Sequence, residues 1–151
     1  MIEVLLAVAV LAIGLLAGSK MQMLGLNYTQ GAMMRSHATM AVNDIIDRMR
    51  VNPDGVSTGA YDNFSTDSAP PAQSCIASTG CDPSDLAKHD LRMFSNYFGK
   101  GDADGLSTSI GTAEGTISAP DANGLRIVKV VWKELIKGAE KEREITIGVY
   151  L

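Results

Sequence analysis

The first 26 residues are almost entirely apolar. Val4 to Ala17 contains only Val, Leu, Ala, Ile and Gly, and only one charged residue, Lys20, interrupts the apolar pattern before Leu26. With this extension the segment reaches the roughly 20 residues that a transmembrane helix requires. The pattern predicts that residues 1–26 form a helix that lies in a membrane or in a bundle of apolar helices.

A cleaved signal peptide is the competing interpretation of this segment. Signal peptides open with Lys or Arg, whereas the only charged residue ahead of the apolar run is Glu3. The sequence Ala17-Gly18-Ser19 is only a loose match to a cleavage site. The pattern therefore favours a retained helix.

The helical pattern continues well past the apolar run. No proline occurs before Pro53, so a helix can extend to about residue 50. In its second half the apolar residues Ala38, Val42, Ile45 and Met49 recur on one face, and charged residues occupy the remainder. This half should belong to a folded domain, residues 27–151, and pack on the rest of that domain.

The charged face of this half carries acids and bases at helical spacing. Asp44 and Arg48 are four residues apart, and Asp47 and Arg50 are three apart. Such pairs stabilise a helix by small amounts, and they are also available to a neighbouring subunit.

After a Gly-, Ser-, Thr- and Pro-rich stretch at 51–81, which we expect to be a loop, the sequence indicates a second, short helix. Asp82 is suited to cap its first turn and Pro83 to occupy it, and the helix should end at Gly99. Its apolar face comprises Ala87, Leu91, Phe94 and Phe98.

Three β segments are predicted in the last third of the chain: 116–118, 125–133 and 143–151. A turn at 121–124 joins the first two, and residues 138–141 belong to a longer connection before the third. Ile145, Ile147, Val149 and Leu151 alternate along one face of the last strand, whereas the central segment offers another candidate buried face. That face comprises Val128, Val130 and Trp132. The predicted fold is α+β: a long N-terminal helix packed on a small antiparallel sheet, with a second short helix.

Composition and motifs narrow the function. The net charge of −4, without a basic patch, argues against a nucleic-acid partner. No nucleophile elbow or phosphate-binding loop is present, and the two histidines have no plausible catalytic partner. We therefore expect no enzymatic activity and no cofactor.

The two cysteines, Cys75 and Cys81, most simply form a small disulfide in a domain outside the cytoplasm. A metal site is the alternative, but it would have to draw on His37 and His89, neither of which has ligand spacing. Asp102 to Gly105 begins like a calcium loop, but Leu106 and Ser107 break the EF-hand pattern. We expect no metal site.

Several segments resemble a known family. The sequence from Ile2 to Leu6 before a long apolar run, the amphipathic helix and the terminal sheet together resemble a type IV pilin over the whole chain. Within that superfamily, four segments are similar to minor pilins of the PilV type: residues 12–16, 41–50, 81–87 and 130–132, in addition to residues 2–6.

This resemblance implies a subunit in the initiation or tip complex of a type IV pilus. Its implied partners are other minor and major pilins, the inner membrane before assembly, and prepilin peptidase if a leader lies upstream. Its implied location is the inner membrane, with a single span and a periplasmic head, and later the pilus. A minor pseudopilin of a type II secretion system, or a membrane-anchored binding domain acting alone, remains the alternative.

One departure from the family pattern concerns the start of the chain. Prepilins carry a short basic leader, and the family glutamate is the fifth mature residue, whereas Glu3 is third here. Either this sequence starts late or the chain has lost its processing site. We expect a late start, and the upstream DNA should then encode a leader ending in Gly before a Phe.

Three residues of the apolar helix are candidates for a role in assembly or helix packing. A lone carboxylate costs about 2.5–3.5 kcal/mol at the centre of a membrane helix, so Glu3 needs a partner or a position near the interface. The resemblance implies that this partner is an N-terminal amine and that Glu3 acts in assembly. The simpler alternative is an interfacial residue hydrated by lipid headgroups. Gly14 and Gly18 form a G-x-x-x-G motif that permits close helix packing.

Overall fold

The computed structural model describes residues 1–73, 75, 80–100, 113–136 and 139–151. The described chain divides into two compact units, Met1–Met33 and Met34–Leu151. Helix α1, Ile2–Val51, runs through the first unit and into the second. Its C-terminal boundary agrees with the sequence prediction, because Pro53 is the first residue that cannot continue the helix's hydrogen bonding.

The second unit contains the remaining elements. These are helix α2 (Pro53–Ser57), strand β1 (Phe64–Ser65), a short 3-10 helix (Thr66–Ser68), helix α3 (Pro83–Asn96) and strands β2 (Glu114–Ile117), β3 (Leu125–Ile136) and β4 (Ala139–Tyr150). The four strands form one antiparallel sheet in the order β1-β2-β3-β4. The predicted α+β, pilin-like arrangement is confirmed.

Local sequence sets the start of α3 and the turn between β2 and β3. The Asp82 carboxylate accepts hydrogen bonds from the amides of Ser84 and Asp85, both at 2.9 Å, as a helix cap does. In the turn, Asp121 Oδ1 accepts from the amides of Asn123 at 2.8 Å and Leu125 at 2.9 Å, and these bonds lower the pKa of the Asp121 carboxyl. Both the cap and the turn agree with the sequence prediction.

The described residues of the second unit share one hydrophobic core. Its largest fully buried side chains include Trp132, Tyr61 and Phe94. The predicted helix faces are confirmed, because Ala38, Val42, Ile45 and Met49 of α1 and Ala87, Leu91, Phe94 and Phe98 of α3 are all buried.

The sheet corrects the prediction of two separate faces. Val128 lies opposite Ile147, and Val130 lies opposite Ile145. Directly paired residues of an antiparallel ladder share a face, so the two apolar sets cover the same side of the sheet. Leu151, expected on that face, follows the end of β4 and is partly exposed, at 39%.

The β3–β4 hairpin is longer than its sequence indicates. Ala139 to Lys141, expected in a connection, pairs with Ile136 to Glu134, and Gly138 lies outside the described residues. The extension mixes apolar and charged residues without alternation, and it carries cross-strand ion pairs, such as Lys133 Nζ to Glu140 at 3.4 Å and Arg143 to Glu134 at 3.4 Å. The apolar alternation that would have revealed these strands is therefore missing, although the backbone pairing of the ladder continues through them.

The stretch 51–81 is also more structured than predicted. It contains α2, β1 and the 3-10 helix, where the sequence suggested only a loop. Asn52 caps α2 by accepting a hydrogen bond from the Gly55 amide at 3.2 Å, and Ser65 Oγ accepts from the Asp67 amide at 3.1 Å. These short elements are set by side-chain caps rather than by an apolar period.

Candidate assembly surface

The N-terminal part of α1 exposes its apolar side chains on all sides. Every residue from Ile2 to Leu26 is exposed, and the large apolar ones among them are between 49% and 78% accessible. A helix that buried these side chains in its own chain would show a protected stripe, and none is present over these residues. The segment is long and apolar enough to cross a membrane, and it needs an apolar partner or lipid.

Glu3 lies in the first turn of α1, where a carboxylate favours the helix dipole. Its side chain takes part in none of the ion pairs that the structure places among the described residues, and neither does Lys20. Within this chain, therefore, the two charges of the apolar segment have no described counter-charge.

Gly14 and Gly18 leave open space on the helix surface. A Cβ added at either position would meet nothing within 4 Å. The nearby Ser19 donates its hydroxyl hydrogen to the Leu15 carbonyl at 2.9 Å, which satisfies that polar group within the helix. The backbone is thus accessible to a close neighbour at these glycines.

A buried polar network ties the C-terminal part of α1 to α3 and to the segment between them. Arg48 bonds the Asp44 carboxylate at 2.9 Å and the Asp90 carboxylate at 3.2 Å. Asp90, which is only 3% exposed, accepts a second hydrogen bond from the Tyr61 hydroxyl at 2.7 Å. Asn52 extends the network by donating to the Tyr61 oxygen at 3.0 Å.

The network shifts the acidity of Tyr61. Burial of the phenol raises its pKa well above the ordinary 10.0, and the hydrogen bond to Asp90 raises it further. Tyr61 therefore stays neutral and holds its proton toward Asp90 over the whole physiological pH range.

Sequence reasoning missed most of this network. The helical pairs Asp44–Arg48 and Asp47–Arg50 are present as predicted, at 2.9 Å each, but the bond from Arg48 to Asp90 was not anticipated. One signal was available: Asp90 lies next to Leu91 on the otherwise apolar face of α3, where a carboxylate requires a partner.

A second buried cation fastens the sheet to α2. Arg126 Nε donates to Asp62 Oδ1 at 3.0 Å, and its Nη2 donates to the Val56 carbonyl at 3.0 Å. Arg126 also borders a cavity of about 490 Å³, whose walls include Met49, Pro53, Val56, Pro120 and Tyr150. Since the Asp62 carboxylate already neutralises this guanidinium, the cavity presents mainly apolar walls.

Cys75 and Cys81 are bonded to each other, with an S–S distance of 2.04 Å, consistent with the expected disulfide. Among the described residues, no group of three His, Cys, Asp or Glu side chains is placed to share a metal ion. The segment 102–105, considered as a calcium loop, lies outside the described residues.

Comparison with known proteins gives one family. Residues 20–92, just under half of the chain, match a family model described as Tt1218-like, type IV pilin Tt1218. No curated protein and no solved structure matches significantly. The matched region contains the amphipathic part of α1, the disulfide and most of α3.

The matched family is structural rather than catalytic, and a pilin of this class interacts with other pilins. Its members' membrane anchoring before pilus assembly fits an N-terminal apolar helix like α1. Over residues 20–92 the chain is thus similar to a type IV pilin family, and its α+β fold has the pilin-like arrangement.

Proposed function

We propose that this chain is a minor pilin of the PilV type, which takes part in the initiation or tip complex of a type IV pilus. The observation that carries the proposal is the division of α1. Its residues 2–26 are apolar and fully exposed, whereas Ala38, Val42, Ile45 and Met49 are completely buried in a folded core. One helix thus has a part suited to lipid or a helical bundle and a part built into a head.

In this proposal, residues 1–26 anchor the chain in the inner membrane by a single span. Residues 27–151, which we name the head domain, lie in the periplasm. On assembly the apolar segment leaves the lipid and packs against neighbouring pilin helices. The accessible backbone at Gly14 and Gly18 favours this close packing. If a leader lies upstream, prepilin peptidase removes it before assembly.

Glu3 serves assembly in this scheme. A carboxylate near the end of an apolar helix is stabilised by a neighbouring subunit that places a positive group beside it. Glu3 therefore favours the addition of such a subunit to the growing assembly. Among the described strands β4 pairs with β3 alone, so its outer edge remains available for partners.

The experiment that tests the proposal measures incorporation into pili. An epitope-tagged chain is expressed in its native cells, pili are sheared off, and the tagged subunit is quantified against the main subunit. We expect the tagged chain in the sheared fraction at a small ratio, and fewer pili when its gene is deleted.

The control is the head domain alone, exported to the periplasm without residues 1–26. It should be absent from sheared pili. Detection of the full chain only in the cell envelope, with normal piliation after deletion, would instead favour a pseudopilin or a solitary anchored binding domain.

A further inference from the structure

The cavity beside Arg126 lies within the second unit, at the end of the sheet where β3 begins and β4 ends. Its volume of about 490 Å³ is typical of a ligand site. Its walls continue into an exposed apolar rim, because Tyr150 is 68% and Leu151 39% accessible. An apolar group of another molecule would therefore lose contact with water here.

One polar group in the walls has hydrogen-bonding capacity to spare. The Arg126 side chain is only 7% exposed, and its Nε and Nη2 atoms are bonded to Asp62 and to the Val56 carbonyl. A guanidinium also carries two N–H donors on Nη1, and this atom donates to none of the residues that the structure describes. A buried donor is costly to leave unpaired, so the cavity favours a ligand that brings an acceptor.

The charges around the cavity favour an uncharged acceptor. Asp62 lies 2.9 Å from Arg126 Nη2 and neutralises it, and Arg50, the other cation in the walls, is paired with Asp47 at 2.9 Å. No uncompensated positive charge therefore remains to attract a carboxylate. A carbonyl next to an apolar side chain meets both requirements, and a peptide segment supplies this combination.

The strand that borders the cavity can hold such a segment by its backbone. Strand β4 ends at Tyr150, and among the described strands it pairs with β3 alone. Residues 145–150 carry no charge, so this half of the edge suits an uncharged partner. An extended peptide adds to a free edge through main-chain hydrogen bonds, while a pocket beside the edge receives one of its side chains.

We propose that the cavity and the adjoining edge of β4 bind an extended, uncharged segment of a partner protein. The segment inserts a large aliphatic side chain into the cavity, and one of its carbonyls accepts a hydrogen bond from Arg126 Nη1. Its main chain extends the sheet beside residues 145–150. This site goes beyond the pilus function proposed above, because it belongs to the head and does not require the apolar segment of α1.

Photolabelling of the full-length chain in nanodiscs tests the proposal. The probe is N-acetyl-leucyl-photoleucine methylamide, whose diazirine side chain labels its surroundings, and mass spectrometry locates the label. We expect label on the residues that line the cavity, with label on residues 1–26 from probe dissolved in the lipid as the internal reference. N-acetyl-leucyl-leucine methylamide should compete about tenfold better than N-acetyl-alanyl-alanine methylamide, which buries less apolar surface.

Two neighbouring substitutions give a matched pair. Ser57 lines the cavity and Thr58 does not, although both are exposed and each hydroxyl donates to the Asp54 carbonyl at 3.0 Å. Ser57→Trp should lower labelling of the cavity about tenfold, because the large indole occupies its mouth. Thr58→Trp should leave labelling unchanged, and a cooperative thermal transition verifies that each variant is folded.

A third variant tests the contact with Arg126. The wild-type chain should prefer the methylamide to N-acetyl-leucyl-leucine, which ends in a carboxylate. Asp62→Asn removes the counter-charge of Arg126, so it should shift this preference toward the carboxylate about tenfold. A merely structural effect of the substitution would weaken both competitors alike.

Label confined to residues 1–26, or equal labelling of Ser57→Trp and Thr58→Trp, would overturn the proposal. Methyl hexanoate competing as well as the dipeptide amide would also overturn it, because the cavity would then take an apolar ester and not a peptide. An unchanged preference in Asp62→Asn would contradict the bond from Arg126. None of these results affects the pilin proposal, which depends on the presence of the chain in sheared pili.

Discussion

Asp90 is the residue on which the polar network depends most. It receives both the Arg48 guanidinium at 3.2 Å and the Tyr61 hydroxyl at 2.7 Å while almost fully buried. Removing its carboxylate leaves a partly buried cation and a buried hydroxyl without their acceptor. Such losses are more costly than the loss of an exposed pair.

We expect Asp90→Ala to lower the unfolding free energy of the head domain by about 3 kcal/mol. Urea unfolding followed by Trp132 fluorescence measures it, since this side chain is completely buried. Asp47→Ala, which breaks the exposed pair with Arg50, should change stability by less than about 0.5 kcal/mol. Equal effects of the two substitutions would contradict the role given to Asp90.

Tyr61 should make stability depend on alkaline pH. Its folded pKa is raised above the unfolded value of 10.0, so the protein favours the neutral phenol. The contribution is complete below pH 10 and is lost as the pH rises, by about 1.4 kcal/mol for each unit above 10 until the folded pKa is reached.

The measurement compares wild type with Tyr61→Phe, which cannot ionise there, so that titration of the lysines cancels. The stability difference between the two should shift in favour of Tyr61→Phe between pH 9 and pH 11. A difference that stays constant over this interval would show that Tyr61 ionises equally well in the folded and unfolded states.

At the level of elements, the disulfide links Cys75, in the stretch before α3, to Cys81, which directly precedes the N-cap residue of α3, Asp82. The bond closes a short loop, with a sequence separation of 6, so it restricts the unfolded chain only modestly. We expect reduction to lower the unfolding free energy of the head domain by less than about 3 kcal/mol, because loop-closure entropy gives that value for a longer loop of 15 residues.

Alkylation of unreduced periplasmic material, followed by peptide mass spectrometry, identifies the bond itself. A peptide pair linked through Cys75 and Cys81 is expected, and two alkylated thiols would contradict it. The control for stability is the double variant Cys75→Ser, Cys81→Ser, which should be as stable as the reduced protein both with and without a reducing agent.

The elements also show which structures the sequence can predict. The course of α1 and the burial of its Ala38-to-Met49 face followed from the apolar period and from the position of Pro53. The end of the β3–β4 hairpin and strand β1 did not, because the hairpin end lacks an alternation of apolar and polar residues and β1 pairs through only two residues.

The candidate assembly surface divides in the same way. The helical, exposed course of its apolar segment, which contains Glu3, Gly14 and Gly18, could be predicted from the sequence, because it depends only on local sequence. The network around Asp90 could not, because its partners Arg48 and Tyr61 lie 42 and 29 residues away along the chain. Only the fold brings them together.

At the scale of the whole molecule, the head domain should fold without the membrane segment. The core residues all lie between Ala38 and Val149, and none belongs to residues 1–26. We expect residues 27–151 to be soluble and cooperative in unfolding, and to form mixed oligomers with other minor pilins through the sheet edge and the exposed face of α1.

Light scattering of purified head domains, alone and mixed with those of other pilins encoded nearby, measures this directly. A mass above that of the separate heads in a mixture supports the proposal. Persistent monomers in every mixture would leave assembly to residues 1–26, and a long polymer of this head alone would contradict a minor role. Full-length chain in detergent provides the control for anchor-dependent association.

The charge pattern along the exposed edge of β4 affects how head domains can pair when they are crowded together. Along its first half, Glu140, Glu142 and Glu144 alternate with the cations Lys141 and Arg143. If two heads joined these edges antiparallel in one continuous sheet, residues of equal parity would face each other, so glutamate would oppose glutamate and cation would oppose cation. This charge pattern therefore disfavours the pairing of β4 edges into a continuous sheet when heads are concentrated side by side in a membrane, and it favours partner strands of a different charge pattern.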